Sequence, residues 1–362
     1  MPETEDAGTA VAERLFAAAQ GMMDTLCVYL GDRLGLYRTL QRDGPATAGE
    51  LAARAGIHPR YAREWLEQQT VSGYLECEDP SLGDDERRFM LPEEHVPALA
   101  DEGHLEFMTP MAQLAVGCAR PIEALATAFR TGDGVPFADY GEDLHRGQAR
   151  FSRIQFDTFL TAEWLPAIPA LHESLQRPGA RVADLACGLG YSSLAMARDY
   201  PGITVDGIDL DAASIAAAGS ARAAAEPEVA ARVRFTCTDA ADAEPAGAFD
   251  LVTIFEALHD MSRPVEALAA ARRLLAPGGA VLVADERVGD HFSPAAGEVE
   301  RLYYGFSVLH CLPVGMVGQD PAGTGTVMRA GTVERYAREA GLGRVEIAPV
   351  ENDFWRFYVL RP

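Results

Sequence analysis

Apolar residues between about Thr9 and Leu40 recur at helical spacing: Val11, Leu15, Met22, Met23, Leu26, Val28, Leu34, Leu36 and Leu40. Residues 1–8 are polar and acidic and read as disordered. Thr47 with Glu50 spells a capping box for a short helix, Gly56 ends it, and Pro59 favours starting the next, which runs through Leu66 towards Val71. Tyr74–Cys77 then reads as a strand and 88–91 as its hairpin partner. Two short helices followed by a hairpin predict a winged helix. Residues 100–135 look helical, 132–141 form a Gly- and Pro-rich loop, and a helical stretch from about Leu144 to Leu175 carries Phe151, Phe156, Phe159 and Trp164.

After Arg177–Arg181 the pattern changes to alternating strands and helices. Strands are expected at Arg181–Leu185, Thr204–Asp209, Val233–Thr238, Phe249–Phe255, Ala280–Asp285, Val345–Pro349 and Phe354–Leu360. That alternation predicts an α/β fold, a mostly parallel, Rossmann-like sheet with helices on both faces. Only residues 350–353 join the last two strands, whereas a parallel crossover needs about a dozen. The seventh strand should therefore run antiparallel beside its predecessor. The expected domains are a mainly α winged-helix unit over 1–110, linker helices over 111–176 and an α/β domain over 177–362 with a lid insertion at about 290–325.

The 362 residues carry 31 basic against 54 acidic side chains, a net charge of −23, which opposes binding to phosphate backbones. Six cysteines, at 27, 77, 118, 187, 237 and 311, are scattered with no C-x-x-C pair, as expected of reduced cytoplasmic thiols. No apolar run reaches the roughly 18 residues of a membrane span, and MPETEDAGTA lacks the character of a signal peptide.

The chemistry begins in Asp184-Leu-Ala-Cys-Gly-Leu-Gly190, between a strand and a helix. Gly188 and Gly190 let a ligand approach the backbone, and Ser192 or Ser193 can cap the helix. Asp184 suits the cationic amino-acid end of a ligand. Asp209 ends the second strand, where it can accept from ribose hydroxyls, and Asp239 follows the third, where it can meet an adenine amino group. Any one of these acids can be a helix cap or turn former. Three in order on the carboxyl edge of a parallel sheet, with the glycines, point to a ligand.

These features resemble the class I S-adenosylmethionine-dependent methyltransferases over residues 177–362. Asp184–Gly190 matches that family's acid–glycine motif, with Ala186 in place of its usual first glycine. Leu274-Leu-Ala-Pro-Gly-Gly-Ala-Val-Leu-Val283 matches the turn before its fifth strand. The whole chain is similar to small-molecule O- and C-methyltransferases with an N-terminal winged helix. The resemblance implies S-adenosylmethionine as cofactor, contacts from Asp184, Ala186, Gly188, Gly190, Asp209, Leu210, Asp239, Ala240 and Phe255, and a homodimer built by the N-terminal domain.

Methyl transfer to an acidic acceptor needs alignment and a base. His259, in Phe255-Glu-Ala-Leu-His-Asp260, is the candidate; in plant-type O-methyltransferases a similar Leu-His-Asp segment carries the base. Asp260 and Glu286 can orient it. Tyr140, Phe156, Tyr304 and His310 are candidates for the acceptor pocket. His259 and His310 could instead hold a divalent metal that chelates a keto acid, as in the similar α-keto acid C-methyltransferases.

Three rival readings are distinguishable. A DNA-binding regulator would need a basic second helix, and this one carries Arg60, Arg63 and Glu64. A nicotinamide oxidoreductase would need G-x-G-x-x-G, and position 193 is Ser where the third glycine belongs. The third is a scaffold that binds cofactor without turnover.

Overall fold

The structure, a computed structural model, describes residues 3–243 and 249–362. The chain forms two compact units, Met1–Val116 and Gly117–Pro362. Among the described residues no helix is long and apolar enough to cross a membrane.

The first unit opens with α1 (Glu3–Arg33), so the helix begins within the segment expected to be disordered. Once nucleated, a helix extends at small cost per residue, and polar composition alone does not stop it. α2 (Leu36–Asp43), α3 (Ala48–Ala55) and α4 (Pro59–Val71) follow. The capping box at α3 is formed in both directions: the Glu50 amide donates to Thr47 Oγ1 at 3.3 Å and the Thr47 amide to Glu50 Oε2 at 2.9 Å. Gly56 closes α3 at φ 68°, and Pro59 opens α4. The wing is a hairpin of two-residue strands, β1 (Glu76–Cys77) and β2 (Phe89–Met90). Leu36, Tyr37, Leu51, Trp65, Leu66 and Phe89 make its core, and the Trp65 indole N–H donates to the Cys27 carbonyl at 3.0 Å. Both arginines of α4 are neutralised locally, Arg60 by Glu64 and Arg63 by Asp84.

The second unit is built on a seven-stranded sheet ordered β5-β4-β3-β6-β7-β9-β8. Its strands are β3 (Arg181–Leu185), β4 (Thr204–Asp209), β5 (Val233–Cys237), β6 (Phe249–Phe255), β7 (Leu275–Glu286), β8 (Arg344–Ile347) and β9 (Trp355–Arg361). The first five are parallel, whereas β9 runs antiparallel to both of its neighbours. The expected fold class and the antiparallel last strand are borne out, and β9 also inserts between β7 and β8. The strands alternate between two cores: Val182 and Leu251 face one layer of helices, Ala183 and Val252 the other. Such burial on both faces explains why these strands are nearly continuous apolar runs. Every parallel strand therefore ends at the same edge, where the connecting loops gather.

Candidate active site

At that edge lies a cavity of about 430 Å³, within the range of small-molecule sites. Of the residues singled out in the sequence, Asp184, Ala186, Gly188, Asp209, Leu210, Asp239, Ala240, Phe255, Phe156 and Asp260 line it.

The glycine loop explains its own composition. Ala186 sits at φ 56° and Gly188 at φ 52°, the left-handed region in which a Cβ is crowded. Ala186 thus holds the conformation that glycine would adopt freely, and the loop keeps its path at a cost in strain. A Cβ added at Gly188 would meet nothing within 4 Å, so it would project into open space. Gly190 differs: a Cβ there would lie 2.3 Å from the Phe235 ring, so this glycine serves packing and does not line the cavity.

Ser192 and Ser193 do not cap the helix Tyr191–Asp199; its N-cap is Gly190 and has no side-chain bond. Both hydroxyls instead donate to Asp184 Oδ2 at 2.6 Å, and Thr253 donates to Oδ1 at 2.7 Å. The buried carboxyl outbids the helix terminus, because leaving it unbonded costs more than leaving an exposed amide to water. Burial still pushes Asp184 above the usual carboxylate range, against the three hydroxyls. Asp209 accepts from the Gly188 amide and from the Asp211 amide, both at 2.8 Å, which ties the end of β4 to the glycine loop. Asp239 accepts from the Ala241 amide at 2.9 Å.

His259 is buried just behind this wall. Its Nδ1 lies 3.0 Å from Asp285 Oδ1 and 2.9 Å from Glu286 Oε2. Burial alone would push the imidazole down, but the two carboxylates outweigh it and hold its pKa well above the ordinary value. Asp285, which sequence reasoning passed over, is the hydrogen-bond partner of the ring. Cys311 Sγ lies 3.3 Å from His310 Nδ1, and the charge of His259 acts on its thiol. His310 is buried too, its Nε2 has no partner among the described residues, and its pKa falls to about 3, through burial first and then the nearby His259 and His145. Tyr140 packs edge-on against His310 at 4.7 Å and donates to the Leu309 carbonyl at 2.8 Å. The Tyr304 hydroxyl accepts from Arg329 at 3.1 Å. His259, Glu286, Tyr140, Tyr304 and His310 therefore stand behind or beside the cavity lining, not in it. One group of ligand-type atoms within 4.8 Å of one another joins His259 to Asp285 and Glu286, and His310 is not part of it.

Sequence reasoning also missed Glu256. It lines the cavity at φ 51°, accepts from Ser152 Oγ at 2.5 Å, and is pushed up to about 7 by burial. The signal was present: an acid directly follows the apolar run of β6, as Asp209 closes β4.

Residues 183–281 match the family described as "Methyltransferase domain", and residues 22–100 match the "Rv2258c-like winged HTH domain". A ubiquinone biosynthesis O-methyltransferase of Burkholderia pseudomallei is 31% identical over 172 residues, 47% of this chain and 67% of that protein. Several other ubiquinone biosynthesis O-methyltransferases match over only 38–44% of their length, so the chain spans about two fifths of those curated relatives. The fold is similar to that of the mitomycin 7-O-methyltransferase MmcR, with a TM-score of 0.69 and 18% identity over 98% of this chain and 99% of that one. It is also similar to NcsB1, an O-methyltransferase of neocarzinostatin biosynthesis solved with S-adenosyl-L-homocysteine and 1,4-dihydroxy-2-naphthoic acid, at a TM-score of 0.63 and 19% identity over 93% and 95% of the two chains. At such identities these likenesses speak for the fold. The matched sequence, the seven-stranded sheet with its antiparallel β9 and the winged helix together place this chain among the class I S-adenosylmethionine-dependent methyltransferases that carry an N-terminal winged-helix domain.

Proposed function

We propose that the protein transfers a methyl group from S-adenosylmethionine to a small-molecule acceptor, with oxygen as the receiving atom and His259 as the base. The observation that carries the reading is the row of acids beside an open glycine loop. Asp184, Asp209 and Asp239 lie at the ends of three adjacent strands, and the space next to Gly188 is one that a single Cβ would invade. Such a cradle suits a ligand with a cationic end and two ribose hydroxyls. When bound, that cofactor supplies an already activated methyl group. The chain then has to hold the acceptor in line and manage one proton.

His259 suits the proton. With Nδ1 turned to Asp285 and Glu286, Nε2 is the nitrogen left to exchange a proton, and a carboxylate on the far nitrogen stabilises the imidazolium that forms. Its neighbours Ala257 and Asp260 line the cavity and the imidazole itself does not. Proton transfer therefore calls for a small local adjustment.

The N-terminal unit supports a homodimer. α1 exposes Val11, Leu15, Phe16, Met22 and Met23, a run of apolar side chains that a second copy would cover. The two neutralised arginines of α4 support a role other than reading nucleic acid.

A second reading has a specific observation behind it. His259 Nδ1, Asp285 and Glu286 form a buried N,O,O group of the kind that holds a divalent ion, and the ion would displace the proton on Nδ1. In this reading the ion would assist C-methylation of a keto acid.

Calorimetric titration with S-adenosylhomocysteine and with NAD, followed by turnover of S-adenosylmethionine against an acceptor panel, tests the first reading. Formation of S-adenosylhomocysteine and a methylated product with a hydroxyl-bearing acceptor, unaffected by chelator, supports it; binding of NAD alone overturns it. Loss of turnover in chelator with recovery in Mn²⁺ would favour the second.

A further inference from the structure

The acids at the sheet edge do not stop at the three assigned to the cofactor. Crossing the sheet in the order β5, β4, β3, β6, the strand ends carry Asp239, Asp209, Asp184 and then Glu256. Glu256 lies one strand beyond Asp184, about 4.8 Å further from the ribose-side acids. The cavity lining also includes the apolar side chains of Phe137, Phe156, Val314 and Val317. Glu256 therefore lines the same cavity one strand away from the acids assigned to the cofactor.

Its carboxyl is supplied with neutral donors only. Ser152 donates to Oε2, and among the described residues no arginine pairs with it. A carboxylate offers about four lone-pair positions, so acceptor positions are left for a ligand. Its backbone is held at φ 51°, a conformation that costs a non-glycine residue about 1–3 kcal/mol and is kept where the surroundings enforce it.

The rest of the cavity lining carries far more negative than positive charge. Six carboxyl groups line it, from Asp184, Asp209, Asp211, Asp239, Glu256 and Asp260. Among the described residues, the basic groups in the lining are Arg263 and His145. Arg263 is committed to Asp239 and Asp242, at 3.6 and 3.4 Å. His145 lies 3.7 Å from Asp211 and is stacked on Phe137 with 4.1 Å between centroids.

We propose that Glu256 is the acceptor-anchoring residue, and that it selects a flat apolar acceptor carrying an ammonium or hydroxyl donor and rejects carboxylate acceptors. The inference rests on the methyltransferase reading above, and it narrows the acceptor to neutral or cationic ring compounds. A charge-assisted hydrogen bond of this kind changes affinity by about tenfold or more.

The test uses the full chain saturated with S-adenosylhomocysteine and three probes that share one ring: 2-naphthylmethylamine, 2-naphthalenemethanol and 2-naphthoate. Titration calorimetry gives their affinities for the wild type, Glu256→Gln and Glu256→Asp. The expected order in the wild type is amine, then alcohol, with naphthoate at least about tenfold weaker than the alcohol. Glu256→Gln should lower the amine-to-alcohol affinity ratio about tenfold or more and leave S-adenosylhomocysteine affinity within about twofold. A merely structural role would weaken all three probes together and leave the ratio alone. Glu256→Asp, which keeps the charge, should retain most of the ratio and serves if the glutamine variant does not fold. An unchanged ratio, naphthoate binding as well as the alcohol, or no binding of any probe overturns the proposal. Failure of the wild type to bind S-adenosylhomocysteine would instead overturn the cofactor reading.

Discussion

Thr253 Oγ1 donates to Asp184 Oδ1 at 2.7 Å, and the two residues are register partners across the parallel β3–β6 pair. A fully buried carboxyl is thus fixed by the strand beside it as well as by Ser192 and Ser193 on the helix that follows. Thr253→Val keeps the shape and removes the donor. It should destabilise the second unit by about 1–3 kcal/mol and weaken S-adenosylhomocysteine binding, read by urea unfolding and calorimetry. An unchanged unfolding midpoint would count against this account of Asp184.

The glycine loop gives a pair of opposite expectations. Ala186→Gly relieves a left-handed alanine worth about 1–2 kcal/mol, partly offset by the added freedom of the unfolded chain, for a small net gain in stability. Gly188→Ala adds strain at φ 52° and puts a methyl group into the cradle, so it should lower stability and reduce cofactor affinity at least about tenfold. Thermal melts with and without S-adenosylhomocysteine separate the two effects.

His310 predicts an acid sensitivity. Its pKa falls to about 3 in the fold, below its ordinary value, so the unfolded chain takes up a proton that the folded chain refuses. Stability is full above the unfolded pKa, about 6.5, and is lost as pH falls towards 3, at up to about 1.4 kcal/mol per pH unit. Glu256 and Asp260, both raised to about 7, act in the opposite direction: their stability is present below about 4 and lost as pH rises to 7. Comparing urea midpoints of the wild type and His310→Leu between pH 5 and 7.5 isolates the histidine, and the leucine variant should show the smaller loss on acidification.

The pairing of His259 with Asp285 predicts a pH profile. The carboxylates hold the imidazole protonated to higher pH, so turnover should rise as pH increases above neutrality. Asp285→Asn removes one of them; the rise should shift to lower pH and kcat should fall by about a hundredfold or more. A profile that stays in place would remove His259 from the proton transfer.

The exposed face of α1 predicts the assembly. Replacing Leu15 and Phe16 with glutamate should convert a dimer to a monomer in light scattering and leave the α/β unit's melting transition in place. A monomeric wild type would contradict the homodimer.

Most of the catalytic unit's frame was legible because its strands are buried on both faces and therefore read as apolar runs closed by an acid or a turn. Phe249–Phe255 and Thr204–Asp209 fall where the sequence puts them. What stayed hidden depends on pairs distant along the chain. Asp285 looks like one of two neighbouring acids, and only the fold shows that it reaches His259, 26 positions earlier. Thr253 is a lone hydroxyl in an apolar strand until β3 lies beside it. Ser192 and Ser193 have the local signature of helix caps, which the buried Asp184 overrides. The π-helical turns at Phe156–Trp164 and Ser307–Cys311 leave no mark in a 3.6-residue pattern.

The seventh strand of the sheet along the chain is not at the edge of the sheet. β9 fills a slot between β7 and β8, hydrogen-bonded to both. A nascent chain that has emerged only as far as residue 354 holds β7 with an unpaired flank and β8 with no strand to join. The winged-helix unit, complete by Val116, can settle early on the ribosome, while the α/β unit must wait for Trp355–Arg361 to close its own interior.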